Sequence, residues 1–474
     1  MSSTSSPPAA KSKKKKATAA RPQASRSPSA SEIARNFKYF EVWTTHQNCE
    51  QVSYLSDIPA DIKDDVDEIF DFSTPKLPAS WVDSASPEFK SLKALSTTEF
   101  MDFLREIHDQ SPELYSESIV DSKGLFSKMS IVFSAWRRLK VMRKSKEKWS
   151  EADYAANVYN VFRSPAIHES THKVQCNISL PQPLVTANLG TDAARILGTK
   201  TASPDCLVMI PSASIRSLSL SATSPFQVLK RHPKVVKSGT ASKCSSFRFQ
   251  STPCAVPPET PAFQFVSSFW EDKKPVHQML EHAYRQNRMA TTAAARHLHS
   301  LHVQAPVFGL VWASGTVRAH IDWCRVPEGK HKLPVVYSAP YRVATSEDEA
   351  ENEGDAADIF HEWQLDRAAD ISQVFFLIEN IDRWTMSGFR ERVIRGVEDL
   401  VDGVNNGKAY VPWKRVGDLP SSAPAKENHT VISAGSTSFA SSAPAKKNQT
   451  VISAGSTSSA QSTPPQKPPS RRRR

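Results

Sequence analysis

Residues 263–273, FQFVSSFWEDK, constrain this chain more than any other stretch. Aromatic and β-branched side chains favour a strand, and strand side chains alternate between faces. Glu271 and Lys273 therefore project together while Asp272 points away. About sixty residues earlier, Pro204-Asp205 opens a second strand-like run, PDCLVMIP. If the two strands pair, a second carboxylate meets the acid and amine already sharing one face, giving Asp plus Glu-x-Lys.

The surrounding pattern supplies a scaffold. Ser96 and Glu99 read as a capping box before Phe100, Phe103, Leu104 and Ile107 at helical spacing. A second helix is expected over residues 126–148, where seven Lys/Arg from Arg137 to Lys148 stand beside Val132, Phe133, Trp136 and Leu139. Such a helix can lie along a nucleic-acid backbone or simply present a solvated face. Ser150 can cap a further helix with Glu151, Ala155, Val158 and Phe162 on one stripe, which makes Glu151 a third candidate acid. The helix dipole alone also accounts for a carboxylate at that end.

Residues 172–180 read as a strand, and residues 211–260 as a long, partly disordered insertion between the two acid-bearing strands. After Pro275 a helical pattern runs to Leu301. APVFGLVW and TVRAHIDW then flank Ala313-Ser314-Gly315 as a hairpin. HIDW superficially matches a kinase catalytic loop, but no Gly-rich loop or DFG accompanies it. Beyond an acidic loop, with seven acids between Glu347 and Asp358, apolar residues from Ile359 to Ile378 predict helices packing on the domain.

Charge lies mostly in the ends. Of the formal net charge of +11, residues 1–35 and 421–474 each hold eight Lys/Arg against one Glu, so the body between them is nearly neutral. A basic total thus says little about the folded surface. The ends are poor in large apolar groups and are expected to be disordered. KSKKKK at 11–16 reads as a nuclear-import signal, a phosphate-contacting arm or a solubilising tail. Residues 421–440 and 441–460 form a polar tandem duplication, too small and polar to stack as a solenoid.

Six cysteines without a CxxC pair fit a reduced, intracellular chain and argue against a structural zinc site. No secretory leader is expected, and no apolar run is long enough to span a membrane.

The order helix, strand, Asp-bearing strand, Glu-x-Lys strand, helix, strand implies an α/β fold with a central mixed sheet flanked by helices. With Pro204-Asp205, Glu271-Asp272-Lys273 and Glu151, it resembles the PD-(D/E)XK nuclease-like superfamily, in particular its divergent fungal-type domains. The resemblance covers about residues 126–325. It implies a restriction-endonuclease-like core over 126–325, with the 211–260 insertion. An N-terminal helical region precedes it at 36–125, a helical extension with the acidic loop follows at 326–410, and tails lie at 1–35 and 411–474. It further implies Mg²⁺ held by Asp205 and Glu271, with Glu151 as a third ligand, and Lys273 as the catalytic cation beside them. The expected activity is phosphodiester hydrolysis of nucleic acid, or nucleic-acid or protein binding by a domain of this fold that no longer cuts. A regulatory protein whose tails do the binding is a further reading. Where the superfamily often carries Gln-x-x-x-Tyr, counting on from Gln278 reaches His282.

Overall fold

In the computed structural model, residues 26–417 are described apart from 53–57, 73–75, 119–121, 188, 238–245, 274–278, 330–331 and 343–359. The long apolar stretch becomes an inner strand of an eight-stranded mixed sheet. Its strands are β1 (Cys49–Gln51), β2 (Thr171–Val174), β3 (Cys206–Met209), β4 (Val266–Lys273), β5 (Val307–Ala313), β6 (Thr316–Arg325), β7 (Val335–Pro340) and β8 (Trp363–Gln364). They run in the order β1-β7-β6-β5-β4-β3-β2, with β8 paired to β6. β3 lies antiparallel between β2 and β4, and β4 runs parallel to β5.

A parallel pair needs a crossover, supplied by the long helix between the two strands. The principal helices are α1 (Ala30–Arg35), α2 (Phe37–Gln47), α3 (Thr98–Gln110), α4 (Ser122–Lys144), α5 (Met279–Ser300), α6 (Ala368–Met386) and α7 (Gly388–Asn405). The crossover helix α5 covers one face of the sheet, and α1 packs on α5. α6 packs on the other side, where Ser267 and Thr385 hydroxyls meet at 2.7 Å. Most of α6 is buried, as expected of a helix apolar nearly all round.

The β5–β6 hairpin closes through Ser314 and Gly315 at φ 55° and 81°, the left-handed pair that suits a two-residue turn. Gly309 on β5 has a different task. A Cβ there would overlap the His320 ring and the Asn287 side chain. This is the close approach that lets α5 sit on the sheet. The HIDW residues His320 and Asp322 are fully buried under α5. His320 Nδ1 lies 3.0 Å from Asp322 Oδ1 and Nε2 lies 2.8 Å from Asn287 Oδ1, while Thr291 donates to Asp322. The motif thus pins the crossover helix to the sheet through satisfied polar groups.

Several expectations change in detail. The cap of α3 is Thr97, whose hydroxyl accepts from Phe100 N at 3.2 Å, because Ser96 is already closing the preceding helix Pro87–Leu95 on Leu92 O. The strand expected over 172–180 stops at Val174. Gln175 turns to φ 50°, and Ile178–Ser179 instead pairs with Thr201–Ala202. Residues 30–35, expected in the disordered tail, form α1, capped by a Ser29/Glu32 capping box and buried through Ala30, Ile33 and Ala34.

The 211–260 insertion is largely helical where described. Its short helices Pro225–Arg231 and Ser246–Gln250 bury Phe226, Leu229 and Phe247 against Phe263. Four ring and methyl groups, spaced too irregularly to read as one amphipathic period, are enough to build this satellite layer. Residues assigned to separate regions pack together: β1, from the 36–125 segment, extends the main sheet by pairing with β7. All described residues fall in one compact unit. KSKKKK, the acidic loop, Gln278, Cys244, the tandem duplication and RRRR lie outside the described residues.

Candidate functional site

Pairing of β3 with β4 places Cys206 opposite Trp270, so Asp205, one residue earlier, comes level with Glu271. Two hydrogen bonds across the strands hold this register. Asp205 N donates to Trp270 O at 3.1 Å, and Asp272 N donates to Asp205 Oδ2 at 2.8 Å. Past the bulge that leaves Ser267 unpaired with β3 and turned toward α6, alternation along β4 sets Glu271 and Lys273 on the side covered by α5, and the Lys273 ammonium pairs with Glu271 Oε1. Asp205 thus stands level with Glu271, and its charge acts on both Glu271 and Lys273.

Burial shapes their chemistry. Glu271 is only 1% exposed, and its Oε2 has no hydrogen-bond partner. Burial pushes its pKa well above the usual carboxylate range; Lys273 works against that shift, while the charge of Asp205 adds to it. Asp205 is likewise raised, to about 6, first by burial and then by the charge of Asp272, despite its hydrogen bond from Asp272 N and the nearby Lys273. Burial opposes the charge on Lys273, but the Glu271 carboxylate and its hydrogen bond outweigh it and hold the ammonium above its ordinary value, with Asp205 and Glu151 adding to the effect.

Glu151 opens the helical segment Glu151–Tyr154 behind the Ser150/Asp153 capping box. Its charge acts on both Asp205 and Lys273, so it belongs to the same electrostatic cluster. Among the described residues no three His, Cys, Asp or Glu side chains are already gathered as a cation cage.

Two contributors were not legible as site residues. The helical segment widens to a π turn over Ala155–Tyr159, and beyond it both Phe162 and Arg163 are buried. Arg163 binds Asp272 through two nitrogens at 3.0 and 2.6 Å and lies 3.7 Å over the Trp312 ring. The middle residue of Glu-Asp-Lys is thus clamped from the opposite face of β4 by a bidentate cation. The signal available was Asp272 itself, a charge on the far face of an apolar strand that required a partner. His282, on the first turns of α5, carries a buried Nδ1 without a partner. Burial holds its pKa below the ordinary value, and the Arg285, Arg35 and Lys273 charges add to this.

The balance of charge bears on what the cluster can hold. Asp205, Glu271, Asp272 and Glu151 supply four carboxylates against the two cations Lys273 and Arg163. Both buried acids of the pair facing α5 resist ionisation, and one carries an unpartnered oxygen. Hard oxygen donors in that state suit a small divalent cation, whose charge would relieve the cost of ionising them.

No family model matches the chain, and no curated protein matches it in sequence.

Among the described residues no helix is long and apolar enough to cross a membrane. Of the seven bases from Arg137 to Lys148 weighed as a nucleic-acid contact, Arg137, Lys140 and Arg143 are engaged in ion pairs within the chain, as is Lys128 earlier on α4. Lys128 pairs with Glu379 at 2.7 Å, Arg137 with Glu99 at 3.0 Å and Lys140 with Glu106 at 3.5 Å, and Arg143 pairs with Asp366. The helix ends at Lys144, so Lys146 and Lys148 lie beyond it.

Proposed function

We propose that this chain is a PD-(D/E)XK nuclease-like protein with a restriction-endonuclease-like core that hydrolyses phosphodiester bonds of nucleic acid with Mg²⁺. The observation that carries the reading is the level placement of Asp205 and Glu271 on paired strands, with Lys273 bonded to one Glu271 oxygen and the other buried without a partner. In this reading Asp205 and Glu271 hold the ion, and Glu151 approaches as a third carboxylate. Bound there, Mg²⁺ supplies charge that polarises the phosphodiester and lowers the pKa of the attacking water. Lys273 keeps its proton at Nζ, orients that water and stabilises the charge developing on the phosphate oxygens. Arg163 acts through Asp272: it fixes the strand on which Glu271 and Lys273 sit and the amide that holds Asp205.

The test is cleavage of single- and double-stranded DNA and RNA with Mg²⁺, comparing wild type with Asp205→Ala, Glu271→Ala and Lys273→Ala. Loss of turnover by at least a hundredfold in each folded variant is expected. Turnover that survives the first two substitutions would remove the reading.

A second reading is a domain of the same fold that binds nucleic acid or a protein without cutting. The ion pair between Lys273 and Glu271, which already occupies one oxygen of the acid, favours it. Salt-sensitive nucleic-acid binding with no cleavage under any divalent metal would select this alternative. In either case nuclear entry through the lysine run is part of the proposal, tested by the location of a chain lacking residues 11–16.

A further inference from the structure

The edge of the sheet near Asp205 carries a second chemical feature, independent of the carboxylates. The sulfur atoms of Cys176 and Cys254 lie 3.8 Å apart as free thiols. They come from adjacent antiparallel segments joined by a bridge between Ile178 and Cys254, by Ala255 N to Asn177 O at 2.7 Å, and by Ser179 N to Pro253 O at 2.8 Å. Cys254 is buried, whereas Cys176 is partly exposed on the wall of a surface cavity of about 510 Å³ that also includes Lys173, Asn177 and Val256.

We propose that Cys176 and Cys254 form a peroxide-reactive dithiol, with Cys176 attacking and Cys254 resolving. The Cys176 thiolate attacks one peroxide oxygen, the O–O bond breaks, and the departing hydroxide takes a proton and leaves as water. Cys254, losing its own proton, then attacks the sulfenic sulfur, the S–O bond breaks and a second water departs. Two thiols lose two electrons and the peroxide gains them. The sulfurs need to close by only about 1.8 Å to reach disulfide length.

The surroundings divide the roles. The hydrogen bond between the two thiols, supported by Lys173, lowers the Cys176 pKa to about 7 against the effect of burial. Cys254 is raised, first by that same hydrogen bond and then by burial. Burial also raises Cys49 to about 11 and Cys206 and Cys324 to about 12. Among the described cysteines, Cys176 is thus the nucleophile available near neutral pH. The bond would have a structural consequence as well. Gln175, next to Cys176, donates its amide to Asp205 O at 3.0 Å, so the crosslink would stiffen the chain that carries Asp205.

The experiment treats the full-length protein with a small molar excess of hydrogen peroxide, followed by alkylation and peptide mapping. A loss of 2 Da is expected, with one disulfide-linked peptide pair containing Cys176 and Cys254, reversed by dithiothreitol. Cys176 in the reduced protein is expected to alkylate at pH 7 roughly five- to tenfold faster than a free cysteine. In Cys254→Ser, Cys176 stops at a sulfenic acid that dimedone traps, and in Cys176→Ser, Cys254 stays reduced. A linked peptide joining any other pair overturns the proposal, as does wild-type Cys176 that ends as sulfenic or sulfinic acid without a crosslink. The wild-type map decides even if either serine variant fails to fold. Because every readout is thiol chemistry, the result stands apart from whether the chain cleaves nucleic acid.

Discussion

Replacing Asp205 by asparagine should stabilise this protein, and the gain should depend on pH. In the fold the Asp205 carboxyl is raised from 3.8 to about 6, by burial first and by the neighbouring Asp272 charge second. The folded state therefore holds this proton more tightly than the unfolded chain does. Below about pH 3 the group is protonated in both states and costs nothing. As pH climbs from 4 through 6, the unfolded chain ionises freely while the folded one resists, so stability is lost across that window and stays lost above it. A shift of this size corresponds to ~3 kcal/mol at full value, and to about 2 kcal/mol once the partial exposure of the group is allowed for.

Asparagine keeps an oxygen to accept from Asp272 N and removes the charge. Asp205→Asn should then match wild type below about pH 3, differ from it only slightly at pH 4 and exceed it by about 2 kcal/mol at pH 7.5, a rise of roughly 2 °C in Tm for a unit of this size. Urea unfolding from pH 4 to 8 measures the difference directly. A variant less stable than wild type at pH 7.5, or a difference that does not change with pH, would refute the account of Asp205 as a buried carboxylate kept at a cost. A residue that destabilises its own fold at neutral pH is the pattern expected of a functional group.

Other perturbations test the remaining architecture. If Asp205 and Glu271 hold a divalent ion, millimolar Mg²⁺ should raise the Tm of wild type at pH 7.5 and leave Asp205→Asn unmoved; equal shifts in both would show that the ion binds elsewhere. Arg163→Met leaves Asp272 buried without its cation and should cost about 3–5 kcal/mol, whereas Arg163→Met with Asp272→Leu should recover at least half of the loss. A double variant no better than the single one would mean that the Trp312 stacking, not the ion pair, supplies the clamp. Gly309→Ala drives a methyl into His320 and Asn287 and should destabilise by at least about 2 kcal/mol by urea unfolding, while a neutral result would show that α5 can lift from the sheet without penalty.

How much of this was legible before folding differs by element. Residues 266–273, the following helix and the β5–β6 hairpin could be read directly, because alternation, helical spacing and a Ser-Gly turn are local properties of the chain. The pairing of Glu271 with Lys273 on one face follows from the same alternation. The level of Asp205 does not. It depends on which residue of β3 stands opposite Trp270, a register held by one backbone hydrogen bond, Asp205 N to Trp270 O, and one from Asp272 N to the Asp205 carboxylate. Nor does the clamp on Asp272: Arg163 is 109 positions away and reaches the site only beyond a π turn that no periodicity announces.

The cap of α3 shows the same limit on a smaller scale. Ser96 and Thr97 are equal in type, and the preceding helix's need for a C-cap assigns them. The amino-acid sequence by itself determined the long extended and helical segments around Glu271 and which of their side chains share a face, since each follows from steric preferences within a few residues. Only the tertiary structure decided register, partners and protonation. Those arise from contacts between distant segments and from burial, which exists only once the segments have met.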